Sequence, residues 1–114
     1  MKNSEPVDHT FIAKLKEIVL ENISNEDFGV EELADATAMS RTSLYRRVKS
    51  MTGHNVRELI RKVRLQKAQE LLMDELITAS EVAYKVGFSS PAYFSKCFSE
   101  YYGYPPGEAR KKAI

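Results

Sequence analysis

Apolar positions along this chain recur with the 3.6-residue period of a helix, and no stretch alternates for long enough to form a sheet. The reading is therefore all-α. A first stripe comprises Phe11, Ile12, Leu15, Ile18, Val19 and Ile23, with Asp8 as its expected N-cap and a loop from Asn25 to Gly29. Val30 to Ala36 reads as a two-turn helix. Arg41 to Met51 follows the candidate cap Ser40, and Gly53 supplies a C-terminal stop. Asn55 with Glu58 three residues on has the form of a capping box, opening a long helix through Met73 that carries Val56, Leu59, Ile60, Val63, Ala68, Leu71 and Leu72. Thr78 with Glu81 is a second box, opening a short helix to about Val86. Ser90 caps another helix, with Pro91 at the first helical position, where a missing N–H costs nothing, and Gly103 closes it. Pro105 and Pro106 start a final short helix that runs into a basic, frayed tail from Arg110 to Lys112.

The most informative feature is an internal repeat. Leu33-Ala34 matches Val82-Ala83, and Met39-Ser40 matches Phe88-Ser89, both at an offset of 49 residues. One extra residue in the second turn shifts the offset to 50, at which Leu44 falls on Phe94, Val48 on Phe98, Met51 on Tyr101 and Gly53 on Gly103. Each copy is a short helix, a tight turn and a longer helix, the helix-turn-helix layout. The small Ala34 and Ala83 let the second helix of each copy cross the first closely. One such match is weak evidence, because any helical hairpin resembles it; two copies joined by a long helix are far more specific. The expected organisation is an N-terminal extension over 1–7, a first unit over 8–54, a linker helix over 55–73, and a second unit with a C-terminal helix over 74–114.

Charge sharpens this picture. The 114 residues carry a net charge of only +1, yet residues 1 to 38 hold three Lys against nine Asp or Glu, while residues 39 to 67 hold nine Lys or Arg against Glu58 alone. A concentrated basic stretch is the footprint of a phosphate-binding surface, which the total conceals. Composition otherwise places the chain among ordinary soluble proteins of one small domain or two very small ones. No apolar run approaches a membrane span and the start lacks a signal peptide's apolar stretch, so no membrane contact and a cytoplasmic location are expected. The single Cys97 is incompatible with an intrachain disulfide or a cysteine-rich zinc site. His9 and His54 are the only histidines, and no paired carboxylates, phosphate loop or metal-ligand cluster stands out. No catalytic residue, metal or cofactor is expected.

Helical spacing then assigns outward faces. With Leu44, Val48 and Met51 turned inward, Thr42, Arg46 and Lys49 point away, with Tyr45 and Ser43 on the flanks, at about 100° per residue. Arg46 is the leading base-reading candidate, because its planar fork bonds guanine O6 and N7 together. In the second unit Phe94, Cys97, Phe98 and Tyr101 form the inward stripe, which makes Cys97 a small core residue and leaves Ala92, Lys96 and Ser99 outward beside Tyr93 and Ser95. Ala92 and Tyr93 suit a thymine methyl, and Lys96 suits guanine or phosphate. The linker carries Arg57, Arg61, Lys62, Arg64 and Lys67, not all of which can face one core. Candidate base contacts are thus Arg41, Thr42, Tyr45, Arg46, Ala92, Tyr93, Ser95 and Lys96; candidate phosphate contacts are Lys49, Arg57, Arg61, Arg64 and Ser90. The helix starts at Val30 and Ala79 are further phosphate candidates. A helical protein-interaction module that has lost DNA binding is the competing reading, against which Arg46, Lys49 and the basic linker argue.

The stretches VEELADATAMSRTSLYRRVKSMTG, IRKVRLQKAQELL and ASEVAYKVGFSSPAYFSKCFSEYYGYPPGEAR resemble the AraC/XylS family over about residues 8 to 110. The resemblance implies seven helices, two helix-turn-helix units on a long linker helix, and recognition helices entering successive major grooves of double-stranded DNA. The family's base-reading places fall on Thr42, Tyr45 and Arg46, then on Pro91, Ala92, Tyr93, Ser95 and Lys96. At Pro91 the family often has a polar residue, and its usual tyrosine near the end is Ala109 here. Such domains usually close a longer regulator, so the resemblance implies missing sensing or dimerising parts that make the full-length protein oligomeric, and RNA polymerase as a partner. The phrase EPVDHTFIAKLKEIVLENISNEDFGVEEL resembles the entry to output domains of hybrid two-component regulators, in which a receiver domain precedes it.

Overall fold

The computed structural model describes residues 9–112, and these are helical with no strand among them. Seven α-helices follow in order: α1 His9–Glu21, α2 Val30–Ala36, α3 Arg41–Thr52, α4 Val56–Leu71, α5 Ala79–Lys85, α6 Pro91–Tyr102 and α7 Ala109–Lys112, with a 3-10 turn at Pro106–Glu108 before the last. The expected cap Asp8 lies outside the described residues. The basic segment expected to fray, Arg110 to Lys112, is instead helical as part of α7. Helix α4 stops two residues earlier than periodicity suggests, because Met73 and Asp74 donate three residues back, to Glu70 and Leu71, in a tightening turn.

Caps set most of these boundaries. Ser40 accepts from the Ser43 N–H, Ser90 from the Tyr93 N–H, and Gly53 and Gly103 end α3 and α6 in the left-handed region at φ 78° and 83°. Asn55 and Glu58 form a reciprocal box, the Glu58 N–H donating to Asn55 Oδ1 at 2.8 Å and the Asn55 N–H to Glu58 Oε1 at 3.0 Å. The backbone bond to Asn55 holds the Glu58 carboxyl below its ordinary value, and the equivalent bond to Thr78 does the same for Glu81.

The chain forms two compact units: residues 9–22 with Phe28–Val63, and Ile23–Asp27 with residues 64–112. In the first, Leu15, Val19, Leu33, Leu44, Val48 and Val56 are fully buried. In the second, Phe94 and Phe98 lie at the centre of a core completed by Leu65, Ala68, Leu72, Val82, Ala83, Val86, Phe88, Cys97 and Ala109. Helix α4 thus contributes its first half to one core and its second half to the other. Cys97 is a buried core thiol, and Ala109, at 1% exposure, closes the second core.

The repeat is visible in the turns. Met39 donates to the Ala34 carbonyl and Phe88 to the Ala83 carbonyl, while Ala38 and Gly87 donate to Asp35 and Tyr84. Both turns use a left-handed residue, Ala38 at φ 58° and Gly87 at φ 86°. Tyr101 departs from the repeat, being exposed at 43% where an inward position was expected. It lies in the last turn of α6, and the ring that packs on Phe98 is that of Tyr102, centroids 4.6 Å apart. The Tyr102 hydroxyl reaches the Leu65 carbonyl at 3.5 Å, and burial raises its pKa to about 12.

Candidate nucleic-acid interface

Helix α3 is held by Leu44 and Val48, both fully buried, so its remaining faces turn outward. Thr42, Tyr45, Arg46 and Lys49, spaced as one helical row, are all exposed. Arg41 is exposed as well, but it reaches back across the turn to Glu31 at 3.4 Å. Lys49 donates to the Gly53 carbonyl at 2.9 Å, closing the C-terminal end of the helix. The fourth cation of α3, Arg47, is half-buried with its guanidinium 4.1 Å from the centre of the Phe11 ring. Sequence reasoning missed that packing role; the signal was its position one residue before the core Val48. Helix α3 thus carries four cations and no acid, and three of them, Arg41, Arg46 and Lys49, are exposed.

Helix α6 presents a different face. Ala92, Tyr93 and Lys96 are exposed, whereas Pro91, Ser95 and the cap Ser90 are half-buried. Lys96 is its only cation, and Glu100, one turn later on the same row, offsets it. That exposed Glu100 was also missed, although the four-residue spacing from Lys96 marks it. On α4, Arg57 and Arg61 are exposed four residues apart.

Arg64 corrects the sequence expectation. Expected at a phosphate, it is only 6% exposed. Its guanidinium donates to the carbonyls of Ile23 and Val86 at 2.6 Å each and of Asn25 at 3.1 Å, all within the second unit. Burial lowers its pKa, but a guanidinium keeps its proton. The helix starts at Val30 and Ala79 are also poorer anion sites than expected. The Gly29 and Thr78 N–H groups already donate to the carboxylates of Glu32 and Glu81, which put negative charge at each start. Among the described residues there is no group of acidic, His or Cys side chains able to hold a metal, and no helix long and apolar enough to cross a membrane.

Residues 33–112 match the family described as "Helix-turn-helix domain". The chain belongs to the AraC/XylS family of helix-turn-helix domains. It is 35% identical over 106 residues to Histidine kinase P4 of Formosa agariphila, an alignment covering 93% of this chain and 8% of the kinase. The C-terminal domain of AraT, a response regulator from Geobacillus stearothermophilus, superposes with a TM-score of 0.79 at 26% identity, covering 97% of this chain and 88% of that domain. The DNA-binding domain of the global transcriptional factor AdpA, solved in complex with a target DNA, superposes with a TM-score of 0.77 at 32% identity, covering 89% of this chain and 90% of that one. The chain spans less than half the length of the curated relatives it matches.

Proposed function

We propose that this AraC-type domain binds double-stranded DNA sequence-specifically as the output part of a longer transcription regulator. In this reading α3 and α6 enter successive major grooves. The observation that carries it is the exposed row Thr42, Tyr45, Arg46 and Lys49 on the second helix of a helix-turn-helix unit, donor-rich at the end that meets base edges. The DNA complex of AdpA supports it. Arg46 reads a base, Thr42 and Tyr45 flank it, Arg41 alternates between Glu31 and the duplex, and Lys49, Arg57, Arg61 and Ser90 anchor phosphates. The likeness to a response-regulator domain and to a histidine kinase favours a two-component regulator in the cytoplasm, with the remainder of the protein supplying signal input and oligomerisation. RNA polymerase is the partner such an output would address.

The test is a salt titration of binding to a duplex selected from a random pool. Log affinity is expected to fall linearly with log salt, by about 0.9 for each phosphate neutralised. A flat response, or no binding at low salt, would leave the protein-interaction module as the better reading. Within the same assay, Arg46→Ala is expected to cost about 1–3 kcal/mol and to relax preference at one base pair. A uniform loss across all sequences would make Arg46 a phosphate anchor instead.

A further inference from the structure

We propose that Glu31 competes with DNA for Arg41, so that the first unit approaches its site with part of its charge held back. The inference rests on the DNA-binding reading above and adds a residue of α2 that sets how strongly α3 engages.

Arg41 is the first residue of α3, directly after the cap Ser40, at the end of the helix that meets the duplex in that reading. Its Nη1 donates back across the turn to Glu31 Oε1 at 3.4 Å, one long contact where a bidentate fork would make two short ones. The side chains are 61% and 69% exposed, so water and salt reach the pair and it opens readily. While it is closed, the Glu31 carboxylate offsets the charge of Arg41 and draws the guanidinium toward α2. A phosphate or base oxygen that takes Arg41 displaces that carboxylate and leaves it unpaired beside a polyanion. The DNA thus meets a cation that must first be released.

The neighbouring charges single out Glu31. Glu32 already accepts from the Gly29 N–H at 2.9 Å as part of the α2 cap, and Asp35, exposed one turn beyond Glu31, has no ion pair among the described residues. Lys49 donates to the Gly53 carbonyl, a neutral group, and so keeps its full charge. The restraint therefore lies in one contact, and a neutral isostere of Glu31 removes it while leaving the cap and the other acids of α2 in place.

The experiment is fluorescence anisotropy of the whole chain on the duplex selected from the random pool, from low to moderate salt. Glu31→Gln keeps the size of the side chain and removes its charge. Affinity is expected to rise about two- to fivefold at low salt, the range an exposed ion pair supports, and the gain to shrink as added salt screens the pair. The variant's log affinity should therefore fall more steeply with log salt than that of the native chain. Arg41→Ala should weaken binding, and Glu31→Gln added to it should gain clearly less than it does alone. Asp35→Asn, which removes one charge from the same helix without touching the pair, should also gain less. Circular dichroism in urea checks that each variant keeps its stability. An equal gain from Asp35→Asn, or from Glu31→Gln with and without Arg41, would overturn the proposal in favour of general repulsion between α2 and DNA. No gain from Glu31→Gln, or a loss, would overturn it too. Failure to bind any duplex at low salt would instead remove the reading on which it rests.

Discussion

Replacing Arg64 by alanine is expected to destabilise the second unit by about 3–5 kcal/mol, the largest effect of any single substitution among the basic residues. The guanidinium donates to three backbone carbonyls, those of Ile23, Asn25 and Val86, and alanine can replace none of those bonds. A buried acceptor left without a donor costs roughly 1–3 kcal/mol, and the lost aliphatic stem removes packing as well. Urea unfolding followed by circular dichroism measures the change. Arg64→Lys keeps the charge but loses the planar fork that serves several acceptors at once, so it should recover only a minor part. A phosphate anchor would behave in the opposite way: stability would be unchanged, and the salt dependence of DNA binding would weaken by about one phosphate.

Gly87→Ala is expected to cost roughly 2–5 kcal/mol by the same measurement. The left-handed conformation at φ 86° contributes about 1–2 kcal/mol of that for any residue with a Cβ. The rest arises because an added Cβ would overlap the Arg64 guanidinium and the Ile23 carbonyl, so the side chain must leave at least one of its acceptors. Gly103 provides the comparison: its φ of 83° is nearly the same, but a Cβ there meets nothing within 4 Å, and Gly103→Ala should show only the conformational cost. The two sites should also be coupled. In the Arg64→Ala background Gly87→Ala loses the overlap with the guanidinium and keeps only that with the Ile23 carbonyl, so the double variant should cost less than the two single changes added together. Additivity would mean that Arg64 does not account for the glycine.

The same contact explains why the two repeats differ at equivalent places. Ala38 and Gly87 lie at the matching turn position with matching backbone hydrogen bonds, and both take positive φ. Alanine is tolerated in the first unit at the conformational cost alone, whereas in the second the space a Cβ would need holds Arg64.

Much of the fold was legible because it depends on contacts between near neighbours in sequence. The boxes Asn55–Glu58 and Thr78–Glu81, the caps Ser40 and Ser90, and the glycine stops at Gly53 and Gly103 all act within four residues, so their chemistry is written in the local string. The outward row of α3 was legible for a related reason: fixing Leu44 and Val48 inward leaves only one direction for Thr42, Arg46 and Lys49. Arg64 was misread although its position carried a signal. Val56, Ile60, Arg64, Ala68 and Leu72 form one four-residue row, and every member is buried. That row is apolar but for Arg64, whose charge favours solvent unless buried acceptors meet it.

What the sequence by itself determined is the number and type of the helices, most of their ends, the repeat, and which side of α3 turns outward, since these follow from periodicity and capping. What only the tertiary structure decided is which cations remain available. Arg41 meets Glu31 ten residues away, Arg47 stacks on Phe11, and Arg64 is consumed by carbonyls 22, 39 and 41 residues distant in the chain. Whether a cation faces a partner or its own fold depends on which polar groups the packed chain leaves buried beside it. Backbone carbonyls are present in every residue alike, so no pattern of side chains reveals which of them will need a donor.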